Sequence, residues 1–259
     1  MKKFLFLALA VTLFICCKKN DDGANGIFKG PEVQVHGGKS WTWIQLNKQG
    51  NPERVGLALT DKALNSVPVG GDVSGHGHGG TENNYTLKFH PKASILPFNH
   101  VGLNWNPVGH EPEPIYGKPH FDFHFYMPTP EAIAAIPPYE VDSTKFKQWP
   151  AADYFPATYI NPGGGVPQMG AHWIDVTSPE LSGAPFTQTF IYGSYAGEVT
   201  FYEPMITLEF LKASSNFSRP IPQPAKVQKT GWYPTVMKIV KHDDVTEVIL
   251  DAFVYRTQS

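Results

Sequence analysis

The stretch from residue 119 to residue 127, PHFDFHFYM, decides the fold class of this chain. Its polar and aromatic residues alternate without a break. One set contains His120, Asp122, His124 and Tyr126, and the other contains Phe121, Phe123 and Phe125. Successive side chains of a β-strand point to opposite faces, so a period of two residues is typical of a strand. We predict a strand that buries its phenylalanines and carries three ionisable side chains on the other face.

The rest of the sequence predicts more strands joined by turns. Residues 41–46 and 55–60 form a predicted hairpin around the turn residues 47–52. A second hairpin, within 235–256, turns at 242–244. Further strands are predicted at 85–89, 171–176, 186–192 and 198–210, short helices at 61–67 and 131–136, and a glycine-rich loop at 70–82.

These segments predict a mainly β fold. Twenty-four prolines and 24 glycines favour many turns and few long helices. No linker divides residues 31–259, and no repeat of fixed period occurs in them. We therefore predict a single antiparallel β-rich domain with a few short helices. The pattern is compatible with a barrel-like arrangement and with a sandwich, and it leaves that choice open.

Residues 1–16 resemble a signal peptide. Lys2 and Lys3 precede the apolar residues 4–15, and this run is shorter than the roughly 20 residues that span a bilayer. The two cysteines that follow, Cys16 and Cys17, resemble a lipobox. Cleavage before Cys17 leaves the small Cys16 at the −1 position. We therefore predict lipidation of Cys17, with a plain secretory signal as the alternative.

The residues after the signal, 17–30, predict a flexible leash, because KKNDDGANG is polar and contains glycine. Its charged run resembles the surface-export signal of some bacterial lipoproteins. Removal of residues 1–16 takes away two of the 21 basic residues, so 19 face 23 acidic ones and the formal charge becomes −4. This balance argues against nucleic-acid partners. We predict a lipid-anchored protein of the bacterial cell envelope, in the outer membrane, with surface exposure left open.

Histidines and carboxylates are the candidate chemistry of the mature chain. Both cysteines belong to the export signal, and no nucleophile elbow, P-loop or dinucleotide fingerprint occurs. Eight of the ten histidines lie between residues 76 and 172. The predicted metal ligands are His110, His120, His124 and His172, and the candidate catalytic carboxylates are Asp122 and Glu203. Glu203 lies in an apolar run, where a carboxylate needs a partner.

Strand geometry limits which of these residues share an ion. Residues two apart on a strand lie about 6.6 Å apart on one face, so Asp122 can share an ion with a neighbouring histidine. His120 and His124 lie about 13 Å apart by the same rise and are poor partners. The simplest catalytic site would use His110, His124 and His172 as ligands of a divalent metal, with Zn²⁺ expected. Asp122 or Glu203 would then act as the base or as an orienting group.

Other interpretations stay open at this point. The alternating strand also fits an ordinary sheet with one solvated face, and the histidines together fit an acid sensor. His76 and His78, in the glycine-rich loop, lack preorganisation as ligands. A non-catalytic module would instead bind a glycan or another small molecule, a peptide, or copies of itself in a homo-oligomer. The aromatic residues proposed to form its binding surface are Trp41, Trp43, Trp105 and Tyr116.

Four blocks of the sequence together resemble an uncharacterised family of secreted bacterial proteins. The blocks are residues 41–68, residues 98–127 with WNPVGHEP and PHFDFHFY, residues 169–175 with MGAHW, and residues 190–211 with FYEPM. The resemblance implies a compact β-rich domain and brings no activity or ligand with it. His100, His110, Glu111 and the candidate residues named above lie inside these blocks, whereas His76 and His78 lie outside them.

Overall fold

A computed structural model of the protein describes residues 26–70 and 83–259. In the N-terminal half the strands are β1 (Gly26–Lys29), β2 (Val33–Val35), β3 (Gly38–Leu46), β4 (Pro52–Thr60), β5 (Asn84–Lys88), β6 (His100–Asn106) and β7 (His120–Tyr126). The later strands are β8 (Tyr159–Ile160), β9 (Ala171–Asp175), β10 (Gln188–Tyr195), β11 (Glu198–Thr207), β12 (Asn216–Pro220), β13 (Gly231–Tyr233), β14 (Val236–His242), β15 (Val245–Asp251) and β16 (Val254–Arg256).

Five short helices connect the strands. They are α1 (Asp61–Ser66), α2 (Glu113–Tyr116), α3 (Pro130–Ala134), α4 (Ser143–Lys147) and α5 (Leu208–Ala213), with 3₁₀ turns at Pro91–Ile95, Ala152–Tyr154 and Pro179–Ser182. The side chains of Thr60 and Thr129 accept hydrogen bonds from the first turns of α1 and α3, as capping residues do. No helix among the described residues is long and apolar enough to cross a membrane.

The strands form two antiparallel seven-stranded sheets. Sheet 1 has the order β1-β3-β4-β15-β14-β12, with β2 also paired to β3. Sheet 2 has the order β5-β6-β7-β11-β10-β9-β8, and β13 pairs with β16 separately. Each sheet ends in two different edge strands, so neither closes on itself within the described residues. The choice left open by the sequence is therefore decided: the fold is a sandwich-like single domain.

The main core lies between the two sheets. Leu57 and Ile239 of sheet 1 belong to the same buried cluster as Phe121, Phe123 and Phe125 of β7. Burial of these large apolar side chains is the chief stabilising contribution in a fold of this kind. The prediction that the phenylalanines of β7 anchor it in a core is confirmed.

A second layer covers the outer face of sheet 2. Ile133 of α3 and Phe146 of α4 pack against Phe201 of β11. Tyr116 of α2 packs with Met205 of β11. Because of this layer, all seven residues of β7 are buried, including the polar ones. The alternative of a solvated polar face is therefore wrong.

Most predicted elements are confirmed, and the differences have physical causes. The end of the predicted leash forms β1, because Phe28 is buried in the core and the backbone of β1 pairs with β3. The strand predicted at 198–210 ends at Thr207, whose Oγ1 accepts a hydrogen bond from Phe210 N and so begins α5. The sequence reasoning missed β6, although its residues also alternate.

Candidate metal centres

The candidate ligands share the covered outer face of sheet 2. In the register of β6 and β7, Asn104 lies opposite Asp122 and Gly102 lies opposite His124. On the other side of β7, Met205 of β11 lies opposite Asp122. Residues opposite each other in antiparallel strands have Cβ atoms about 5 Å apart, which brings these side chains into contact. The sheet therefore collects polar side chains from several strands under one apolar layer.

The first triad consists of His110, His120 and Asp122. One ligand atom from each lies within 4.8 Å of the other two. Nε2 of His120 is 3.1 Å from Oδ1 of Asp122, and Nε2 of His110 is 3.6 Å from Oδ2. His120 and Asp122 are neighbours on one face of β7, and His110 approaches from the loop that precedes α2.

The second triad consists of His124, His172 and Glu203, which come from β7, β9 and β11. Its three ligand atoms also lie within 4.8 Å of one another. Nε2 of His124 is 3.3 Å and Nε2 of His172 is 3.8 Å from the same oxygen, Oε2 of Glu203. Two histidines that lie 79 and 31 positions before Glu203 in the sequence thus converge on one oxygen of its carboxylate.

Three of the four histidines are oriented through Nδ1. His120 Nδ1 donates to the carbonyl oxygen of Lys118 at 2.6 Å, and His110 Nδ1 donates to that of Glu111 at 2.8 Å. His124 Nδ1 donates to Oδ1 of Asn104 at 3.0 Å. A carbonyl oxygen only accepts, so Nδ1 carries a proton in each of these rings, and Nε2 is the ring atom that faces the carboxylate. Metal-binding histidines are oriented in the same way, by a hydrogen bond from the ring nitrogen that does not bind the metal.

The side chains that support the triads are themselves held in place. Asn104 Nδ2 donates to Oδ1 of Asn84 at 2.6 Å, which turns Oδ1 of Asn104 towards His124. Asn106 Nδ2 donates to Oδ2 of Asp122 at 2.8 Å. One asparagine of β6 therefore supports each triad, Asn106 the first and Asn104 the second.

In both triads, a histidine Nε2 atom and a carboxylate oxygen face each other and are buried from solvent. Nε2 of His120 and Oε2 of Glu203 make no hydrogen bond with any described residue. The His120 and Asp122 side chains are fully buried, and that of Glu203 is 1% exposed. Two facing acceptors repel each other unless a proton or a metal cation lies between them. Each triad could therefore hold a cation, either a proton or a metal ion.

The pKa shifts agree with this requirement. Burial, reinforced by the charge of Asp122, raises the pKa of the Glu203 carboxyl well above its usual value. Burial lowers the pKa of His110, but the hydrogen bond and charge of Asp122 outweigh it, so the net shift is upward. In the absence of another cation, both shifts favour the uptake of protons. Protons and metal ions therefore compete for these groups.

Aromatic rings enclose the second triad. The Tyr126 ring lies parallel to that of His124 at 5.1 Å, and the Phe201 ring is 4.8 Å from His124 and 5.2 Å from His172. Gly193 makes room for Phe201, because a Cβ at Gly193 would overlap the Phe201 ring. The side chains of His110 and His172 are 17% and 18% exposed, so each triad reaches solvent along one histidine.

The structure brings together all six predicted site residues, in a different grouping. The proposal that His110, His124 and His172 share an ion is wrong, because His110 belongs with His120 and Asp122. His120 and His124 lie in different triads, in keeping with their separation along the strand. Asp122 and Glu203 each lie in ligand position within a triad. Cys17, His76 and His78 lie outside the described residues.

The structure also decides the predicted aromatic surface and shows two supporting residues that the sequence did not reveal. The prediction that four aromatic residues form a binding surface is wrong. Trp43, Trp105 and Tyr116 are buried, and Lys29 Nζ lies 3.8 Å from the centre of the Trp41 ring. The sequence reasoning missed Asn104 and Asn106, because β6 was not recognised as a strand. The alternation of HVGLNWN, residues 100–106, is the signal that could have found them.

Comparisons with family models, with curated proteins and with solved structures gave no significant match. The resemblance of the four sequence blocks to a secreted bacterial family stays a prediction. The function is therefore argued from the two triads themselves.

Proposed function

We propose that the protein binds two divalent metal ions, one in each triad, and that Zn²⁺ is the metal. Two histidines and one carboxylate form a donor set that zinc uses in hydrolytic enzymes. The imidazole and carboxylate donors also suit other transition metals, such as Fe²⁺. The burial of the carboxylates and the sandwich fold around them provide a rigid, dry setting for such a site.

One observation supports the proposal more than any other. Two ligands about 2.1 Å from a tetrahedral ion are about 3.4 Å apart. The four histidine–carboxylate separations in the triads are 3.6, 3.1, 3.3 and 3.8 Å. Two of these distances are slightly shorter and two are slightly longer than the separation of about 3.4 Å between two ligands of one ion. The triads are therefore spaced for an ion without a rearrangement of the strands.

Three protein ligands leave a position for water on a four-coordinate ion. Bound Zn²⁺ lowers the pKa of such a water towards 7 and supplies a nucleophile for hydrolysis. The partly exposed His110 and His172 mark the side from which a substrate would reach each ion. Asp122 and Glu203 hold the ions in this proposal, so neither is left as a separate general base.

Metal analysis of untagged protein tests the proposal. We expect about two equivalents of Zn²⁺ per chain, and about one in each of the variants His120→Ala and His172→Ala. The control His242→Ala should keep two, because the His242 side chain is 67% exposed and contacts Glu247 outside both triads. Zinc at 100 times its Kd should stabilise the fold by about 2.7 kcal/mol per site. Absence of both stoichiometric metal and a thermal shift with Zn²⁺ would refute the proposal.

We also propose that the protein is anchored in the cell envelope through a lipid on Cys17. The support is the sequence of residues 1–17, with its basic start, its short apolar run and the adjacent cysteines. Detergent phase partitioning of the protein expressed in a bacterial host tests this. The wild type and Cys16→Ser should enter the detergent phase, and Cys17→Ser should stay in the aqueous phase. Equal partitioning of both cysteine variants would contradict lipidation of Cys17.

A further inference from the structure

A cleft of about 440 Å³ opens beside the second triad. One wall consists of the outer faces of β5 and β6, with Thr86, Gly102 and Asn104. The facing wall includes Ile133 and Ala134 of α3. Its volume lies in the range of clefts that bind small molecules, about 300–1,000 Å³.

The sheet places this cleft close to His124. Thr86, Gly102 and His124 lie opposite one another in the register of β5, β6 and β7. The Tyr126 ring fills the space over Gly102, lines the cleft and lies parallel to the His124 ring on its other side. Asn104 lines the cleft and also accepts the hydrogen bond from His124 Nδ1. A molecule in the cleft would thus touch a residue that orients a ligand of the second triad.

The lining carries no charge at neutral pH. None of the described residues that line the cleft is Asp, Glu, Lys or Arg. Burial lowers the pKa of the lining His100 to about 4, so its imidazole is uncharged at neutral pH. A charged ligand would therefore lose its hydration without gaining an opposite charge. The cleft selects for an uncharged ligand.

The two walls differ in their chemistry. On the sheet side, Thr86 and Asn104 offer a hydroxyl and an amide, and Gln168 at the rim offers a second amide. On the other side, Ile133, Val166 and Met169 present aliphatic surface. Binding clefts commonly combine apolar walls with a few polar groups that fix the orientation of the ligand. A sugar ring matches this pair of walls, since it has hydroxyls around its edge and C–H groups on its faces.

We propose that this cleft binds an uncharged carbohydrate, with its hydroxyls on β5 and β6 and its apolar face on α3. The site does not depend on a metal in either triad. It adds a ligand class that the metal-binding proposal does not supply. The contact through Asn104 places the bound sugar beside the second triad.

Isothermal titration with three neutral trisaccharides, maltotriose, cellotriose and triacetylchitotriose, tests the proposal. Trigalacturonate serves as the anionic comparison. The titrations use both EDTA-treated and zinc-loaded protein, so that failure of the metal proposal leaves the result interpretable. We expect at least one neutral trisaccharide to bind with a Kd below about 1 mM in one or both preparations, and trigalacturonate to bind at least tenfold more weakly.

Matched variants place the binding in the cleft. Ala134 is exposed and lines the cleft, whereas Ala135 is exposed on the same segment and does not line it. Ala134→Trp should weaken sugar binding at least tenfold and leave the metal content unchanged, and Ala135→Trp should do neither. Thr86→Trp, on the exposed edge of the opposite wall, provides a second block that does not depend on α3. The proposal is overturned if no neutral trisaccharide binds, if trigalacturonate binds more tightly, or if folded Ala134→Trp and Thr86→Trp bind like the wild type.

Discussion

At the scale of single residues, the candidate metal centres depend on how each histidine ring is oriented. A histidine ligand needs its second nitrogen fixed, because free rotation of the ring would spread the lone pair over many directions. Here the fixing groups are two backbone carbonyls and the amide of Asn104. Asn106 holds Asp122 in the same way. The two asparagines differ in which triad they support, which makes their roles separable.

We predict that Asn104→Ala weakens zinc binding at the second triad about 10- to 100-fold, the usual cost of losing such a partner. The measurement is a titration against a competing chelator in a His120→Ala background, where the second triad remains. Asn106→Ala in the same background should change the affinity little. In a His172→Ala background, where the first triad remains, the order should reverse. Equal effects of both asparagines in both backgrounds would contradict this assignment.

At the scale of the elements, the second triad requires three strands to lie at fixed distances. Its residues come from β7, β9 and β11, and β10 lies between β9 and β11. The gap above Gly193 of β10 holds the Phe201 ring, which contacts both histidines of the triad. A close-packed arrangement of this kind leaves little room for an added carbon atom. Packing between strands thus positions His124 relative to His172.

We predict that Gly193→Ala displaces Phe201, lowers the free energy of unfolding by about 1–3 kcal/mol and weakens zinc binding at the second triad. Urea unfolding and chelator competition in the His120→Ala background are the measurements. The double variant Gly193→Ala/Phe201→Leu serves as the control, because the smaller leucine makes room for the new methyl group. Its effects should be less than the sum of the single effects. Strict additivity would show that Phe201 does not transmit the change.

At the scale of the whole molecule, one face of sheet 2 builds the core and the other builds the sites. The core between the sheets supplies the stability, and the covering layer of helices and loops buries the polar face of β7. That burial also includes ionisable groups outside both triads. His100 is 3% exposed, and its ring lies parallel to that of Tyr126 at 5.0 Å. Its ionisation is therefore linked to the folding of the whole domain.

We predict that His100 makes the fold less stable in mild acid. Burial lowers its folded pKa to about 4, whereas the unfolded value is about 6.5. Between these values the unfolded chain binds the extra proton, so this group's contribution to stability is lost as the pH falls from 6.5 towards 4. His100→Phe keeps an aromatic ring without the titration, and its urea midpoint should fall less than that of the wild type between pH 7 and pH 5. The exposed His242→Phe should follow the wild type, and a His100→Phe slope equal to that of the wild type would contradict the assignment.

The alternation of residues 119–127 determined by itself that the chain contains a strand with phenylalanines on one face and His120, Asp122 and His124 on the other. This was predictable because the two-residue period of a strand is a local property of the backbone. The i, i+2 spacing also predicted that Asp122 could share a site with an adjacent histidine. The absence of other catalytic motifs left histidine and carboxylate as the candidate chemistry.

Only the tertiary structure decided how these residues are grouped. Whether His110 joins His120 or His124 depends on the path of the loop before α2, and the approach of His172 to Glu203 depends on β10 lying between their strands. The burial of the polar face depends on how α3 and α4 pack over sheet 2, and the sequence of β7 carries no signal for that packing. Distances between strands are set by packing across the whole sandwich. The sequence alone therefore predicts which residues are candidate ligands, but not which of them belong to the same triad.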